Sequence, residues 1–113
     1  MNKPIDPQSA VDYLIAHSKD YAIAESNKVY MEELRKTIKS ECMKEAEMIG
    51  HKTAAMQERE AYAAPKYKQH LIALQEAVRA REEARWMMIA AQERIAVWRS
   101  QEASNRRVDG ATL

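Results

Sequence analysis

Arg99, Arg106 and Arg107, headed by Trp98, are the densest group of chemistry-bearing side chains in this sequence. Arg99 and Arg106 stand seven residues apart, which on a helix puts them on one face, and Arg107 extends the cluster. Guanidinium groups so placed grip phosphate or carboxylate through paired hydrogen bonds. The plainer alternative packs Trp98 into a core and leaves the arginines solvated near a helix C-terminus, where cations are favoured. Trp98, Arg99, Arg106 and Arg107 are the candidate partner-binding residues.

Other side chains offer less. A helical metal site needs ligands three or four residues apart on one face. Glu47 and His51 have that spacing, but Gly50 interrupts the helix between them. His70 has Lys66 and Leu74 at the matching positions, neither of them a second ligand. His17, His51 and His70 therefore read as solvated, and no metal is expected. A catalytic thiol needs a helix N-terminus or a neighbouring cation. Cys42 lies on the seam of the first helix, flanked by Glu41 and Lys44, where mid-helix burial acts against a reactive thiolate, and it reads as a small core residue. The acidic residues mostly sit three or four from a Lys or Arg, as in Glu32–Lys36 and Glu41–Lys44, which are ordinary surface pairs. There is no glycine-rich phosphate loop and no nucleophile–base arrangement, so neither catalysis nor a cofactor is expected. Met43, Met48, Met56, Met87 and Met88 read as core, with an adaptable binding face as the alternative.

The elements that carry these residues follow from what the chain lacks. Its 113 residues include two glycines, Gly50 and Gly110, and three prolines, Pro4, Pro7 and Pro65. Between them lie long stretches rich in Ala, Glu, Lys, Arg, Met and Gln, the strong helix formers. The expected fold is all-α: one helical domain, a long antiparallel helical hairpin of coiled-coil type with a short connecting helix. Residues 1–6 form an arm and residues 7–49 a long helix. Residues 50–64 are a connector with a short helix, residues 65–103 a second long helix, and residues 104–113 a flexible tail. Asp6 and Pro7 are a helix start, Gly50 a left-handed stop, Thr53 a cap and Pro65 a first helical residue.

In the first helix apolar residues recur at Val11, Leu14, Tyr21, Ala24, Met31, Leu34, Ile38, Cys42, Ala46 and Ile49, with breaks at Ser18 and Lys28. The last helix carries two adjacent stripes. One is Tyr67, Leu71, Leu74, Val78, Met88 and Ile95. The other is Ala73, Ala77, Ala80, Ala84, Met87 and Ala91, then Trp98. Two stripes make a face too wide for one partner helix, and a lone hairpin has a thin core. Self-association through Ala73, Ala77, Ala80, Ala84, Met87 and Ala91 is therefore expected, with a dimeric helical bundle as its form.

Charges nearly cancel, 18 basic against 17 acidic, so bulk charge does not mark a nucleic-acid binder. Their distribution is uneven. Residues 65–113 hold nine basic and six acidic side chains, while residues 1–50 hold seven and nine. The single cysteine excludes an internal disulfide and fits a reducing cytoplasm. No apolar run is long enough to span a membrane, and the N-terminus lacks the apolar core of a secretory signal.

Three segments carry a family resemblance. They are Val29-Tyr30-Met31-Glu32-Glu33-Leu34-Arg35-Lys36, Glu60-Ala61-Tyr62-Ala63-Ala64-Pro65-Lys66-Tyr67, and Ile95-Ala96-Val97-Trp98-Arg99-Ser100-Gln101-Glu102-Ala103-Ser104-Asn105-Arg106. Over residues 20–107 the chain resembles small all-helical proteins of tailed bacteriophages and prophages, the Trp-Arg and Ala-x-x-Arg pattern being the most specific part. Such genes often lie near recombination or single-strand DNA-handling genes. The resemblance implies a non-catalytic, cytoplasmic, helical protein-binding factor that acts in phage DNA metabolism or inhibits a host nuclease or defence complex. The expected partners are a host or phage protein, and, from the two stripes of the last helix, a second copy of the chain. The alternatives are a direct nucleic-acid-binding accessory of recombination and a coiled-coil spacer in virion assembly. The group brings no catalytic residues.

Overall fold

The structure, a computed structural model, describes residues 4–112. Three helices account for nearly all of them: α1 (Pro7–Met48), α2 (Ala54–Ala63) and α3 (Pro65–Thr112). No strand occurs among the described residues, and no described helix is long and apolar enough to cross a membrane. The first three residues of the expected arm lie outside the described residues.

Local chemistry sets the helix ends. At the start of α1 the Asp6 carboxylate accepts a hydrogen bond from the Gln8 amide at 3.0 Å, satisfying one orphan donor of the first turn. At its end Gly50 takes a positive φ of 114°. The His51 amide then bonds to the Ala46 carbonyl and the Gly50 amide to the Glu47 carbonyl, both at 3.1 Å. This paired arrangement is the Schellman stop. A Cβ at Gly50 would meet no atom within 4 Å, so a substitution there is penalised by backbone strain alone. Gly50→Ala is expected to cost about 1–2 kcal/mol, read from urea melts. A neutral result would mean that the turn relaxes out of the left-handed region.

Thr53 caps α2, its hydroxyl accepting from the Met56 amide at 3.2 Å. Ala64 is extended, as a residue before proline must be, and Pro65 opens α3 where a missing N–H costs nothing.

The chain divides into two compact units. The first, Ile23–Glu82, is a helical hairpin. Contacts between its long helices run in opposite order along the chain: Glu41 with Lys66, Met31 with His70, Glu25 with Arg81. Helix α2 closes the looped end by burying Ala61 completely against Cys42 and Tyr67, with Ile38, Met43 and Ala64 packed around them. Tyr62 meets Tyr67 edge to face at 5.4 Å. Lys39 lies 4.7 Å over the Tyr62 ring and donates to Glu58 at 2.9 Å, tying α2 to α1. The contact with Tyr62, then the bond to Glu58, holds Lys39 above the ordinary lysine value. Lys39 in turn holds Glu58 below the ordinary carboxylate value.

The second unit, Met1–Ala22 with Glu83–Leu113, sets the start of α1 beside the later part of α3. A cleft of about 130 Å³ lies between Ser9, Ala10 and Tyr13 on one side and Met87, Ala90, Ala91 and Arg94 on the other. Ala10 and Ala91 are buried here.

The burial pattern of α3 corrects the reading of two stripes. Tyr67, His70, Leu74, Ala77 and Arg81 in the hairpin, then Ala84, Met88, Ala91, Ile95, Trp98 and Glu102 in the second unit, are all buried or half-buried. Their spacing alternates three and four throughout, the heptad seam of packed helices. The two sequence stripes are largely the alternate positions of this single seam. Ala77 and Ala91 of the expected self-association stripe are covered within the chain, Ala73 and Ala84 are half-covered, and Ala80 and Met87 are exposed. Ala77 and Ala91 are therefore not available to a second copy, while Ala73, Ala80 and Met87, seven apart, keep one partly open face. Ala91→Leu is expected to overpack the seam by about 1–3 kcal/mol, whereas Ala80→Leu changes stability by less than about 0.5 kcal/mol. Equal melting temperatures for the two variants would contradict this assignment of the seam.

Candidate functional site

Helix α3 does not stop where the sequence suggests. It continues to Thr112 through the stretch read as a flexible tail from Ser104, and Gly110 does not break it. One interior glycine costs about 1 kcal/mol relative to alanine, too little to end a helix already propagating. Trp98, on the seam, is half-buried, and Glu102 and Ala103 are half-covered. Every residue from 104 to 111 is exposed. The end of α3 is thus a helical arm with no core of its own.

The sequence-derived site lies on this arm and at its base. Arg99, Arg106 and Arg107 are exposed. The Arg106 Nε donates weakly to the Glu102 carbonyl at 3.4 Å, which leaves the planar face of the guanidinium to solvent. Among the described residues no carboxylate forms an ion pair with Arg99, Arg106 or Arg107, in contrast to Arg79 and Arg81. Arg99 is therefore not held in a packed ion pair beside Trp98. Near a helix C-terminus these cations also oppose the partial negative charge of the last carbonyls. The arm can bind an anionic group without first breaking an internal pair.

The histidines differ from the solvated reading. His70 is buried on the α3 seam, its Nε2 2.7 Å from the Met31 carbonyl of α1. A carbonyl only accepts, so Nε2 carries the hydrogen. His51 is half-buried. His17 is exposed, with its ring stacked on Tyr13 at 4.2 Å and Nδ1 3.3 Å from Asp20. No group of three or more His, Cys, Asp or Glu side chains that could hold a metal occurs among the described residues. Cys42 is buried beneath α2, beside a cleft of about 340 Å³ that reaches Ile49 and Pro65.

Several apolar side chains read as core stand in solvent. Met48 is 77% exposed, Met56 46% and Met87 52%, which corrects the core assignment for these three; Met43 and Met88 are half-buried. Trp86, Val97 and Val108, which the sequence reading did not single out, are also exposed on α3. The signal for them was present: they are eleven residues apart, close to a whole number of helical turns. No protein-family model, curated protein or solved structure matches the chain.

Proposed function

We propose that this protein is a non-catalytic helical binding factor whose α3 arm grips an acidic surface on a protein partner. One observation carries the reading: the arm, exposed from residue 104 to 111, and its base present Arg99, Arg106 and Arg107, none of which has a carboxylate partner among the described residues. An isolated helix of this length is marginal in water, and docking on a partner would stabilise it. Half-buried Trp98 anchors the base of the arm to the unit that must orient it.

The resemblance of residues 20–107 to small helical phage proteins sets the proposed context, phage DNA metabolism or inhibition of a host nuclease or defence complex. The test is capture from an infected host with the intact chain and with a chain ending at residue 103. A protein retained by the first and lost by the second supports the reading; identical sets of captured proteins would sink it. The same unpaired arginines favour direct nucleic-acid binding as the second reading. In that case labelled DNA should bind the intact chain with a steep salt dependence, falling as each released phosphate contact is replaced by salt.

A further inference from the structure

At the looped end of the hairpin, a cleft of about 340 Å³ lies where the end of α1, the end of α2 and the start of α3 meet. That volume falls within the range of small-molecule sites, about 300–1,000 Å³. Carbon lines most of it: Ala46 and Ile49 of α1, Ala63 of α2 and Pro65 of α3. The charged groups that line it are both acidic. Glu45 of α1 and Glu60 of α2 are exposed, and neither carboxylate has a hydrogen bond or an ion pair among the described residues. The remaining polar group is the Cys42 thiol, 3% exposed, which lines the same cleft and makes no hydrogen bond.

Both carboxylates stand where a helix disfavours them. Glu45 lies in the last turn of α1 and Glu60 in the last turn of α2, and neither turn holds a cation. There a negative side chain adds to the partial negative charge of the free carbonyls and lowers stability. Lys66, in the first turn of α3, does not cancel this charge. It is engaged by Glu41 and feels Glu45 only through the longer-range field. The start of α3 sets one positive helix end against two negative ones.

We propose that this cleft binds a small aliphatic amine, its ammonium held by Glu45 and Glu60 and its carbon chain laid on Ala46, Ile49 and Pro65. An ammonium donates three hydrogen bonds, and two carboxylates and a thiol sulfur can accept them. A metal ion fits less well. The apolar walls offer it no oxygen, and no three ligating side chains converge among the described residues. Every lining residue belongs to the hairpin unit, so the site does not rest on the binding role of the arm.

The test is titration of the full, isotopically labelled chain with pentylamine, followed by amide NMR. Saturable shifts confined to Cys42–Ile49 and Glu60–Ala64 are expected. Pentanoate and pentanol, of the same length but anionic and neutral, should bind at least about tenfold more weakly, since only the amine gains the charge attraction. Glu45→Gln combined with Glu60→Gln should weaken pentylamine binding about tenfold, two exposed ion pairs being lost. The same double variant should melt no lower than the parent, because both carboxylates oppose helix ends. Equal binding of the three probes overturns the proposal, as do shifts spread along α1 and α3. A double variant that binds pentylamine like the parent removes both carboxylates from the site. A chain that binds a lysine-containing peptide and not pentylamine overturns the small-molecule assignment. Cys42, the single thiol, supplies a second readout. Its modification by the cationic aminoethyl methanethiosulfonate should outpace that by the anionic sulfonatoethyl reagent at least about tenfold, after division by the rates for the unfolded chain, and pentylamine should slow it. Equal normalised rates, or a thiol that neither reagent reaches, would place Cys42 away from a cation-selective cleft and overturn the proposal.

Discussion

Replacing Tyr67 by alanine is expected to lower the stability of the chain by about 3–5 kcal/mol, the range for removing a large buried aromatic. Tyr67 opens the α3 seam and is 8% exposed. It packs on Cys42 and Ala61, and Tyr62 meets it edge to face. Alanine there would leave a void under α2, and α2 has little else beneath it, since Ala61 is its one buried residue. Urea or thermal melts followed by circular dichroism measure the loss. Leu71→Ala is the matched control, one turn along the same helix but 39% exposed, and should cost no more than about 1 kcal/mol. If the two variants lose equal stability, α2 does not rest on Tyr67 and the packing of the looped end is wrong.

Replacing Arg99, Arg106 and Arg107 together by glutamine should act on binding rather than on folding. All three side chains are exposed, and none of them forms an ion pair among the described residues. Surface substitutions of this kind stay within about 0.5 kcal/mol each. Each hydrogen bond to a charged group that is engaged in a complex contributes about 1.5–3 kcal/mol. Losing two of them weakens binding by at least about 3 kcal/mol, more than a hundredfold. The measurement pairs a thermal melt with titration of the captured partner. Unchanged melting with a large drop in affinity is the expected result. Parallel losses in both would make the arginines structural, and unchanged affinity would remove this site from the surface of the arm.

What was legible in the sequence was local. Gly50, Thr53 and Pro65 set helix boundaries through backbone geometry and capping that depend on only a few neighbouring residues, and the amphipathic spacing of α1 follows from helical geometry alone. The Arg cluster could also be seen, because a helix places residues seven apart on one face whatever surrounds it. The end of α3 was misread for a related reason: Gly110 is a penalty, and whether a helix outlasts one penalty depends on what already propagates into it.

Only the tertiary structure decided which face of α3 is inside. So many of its positions are apolar or alanine that local periodicity allows two stripes. Packing on α1 selects the alternate positions that keep a strict three-four spacing, drawing from both stripes. That choice buries His70 through a carbonyl 39 residues away and half-buries Arg81 against a carboxylate 56 residues away. Neither partner is local, so neither residue announces its place in the seam by type. It also leaves Trp86, Val97 and Val108 in solvent, because the seam covers only one side of a helix that is apolar on more than one.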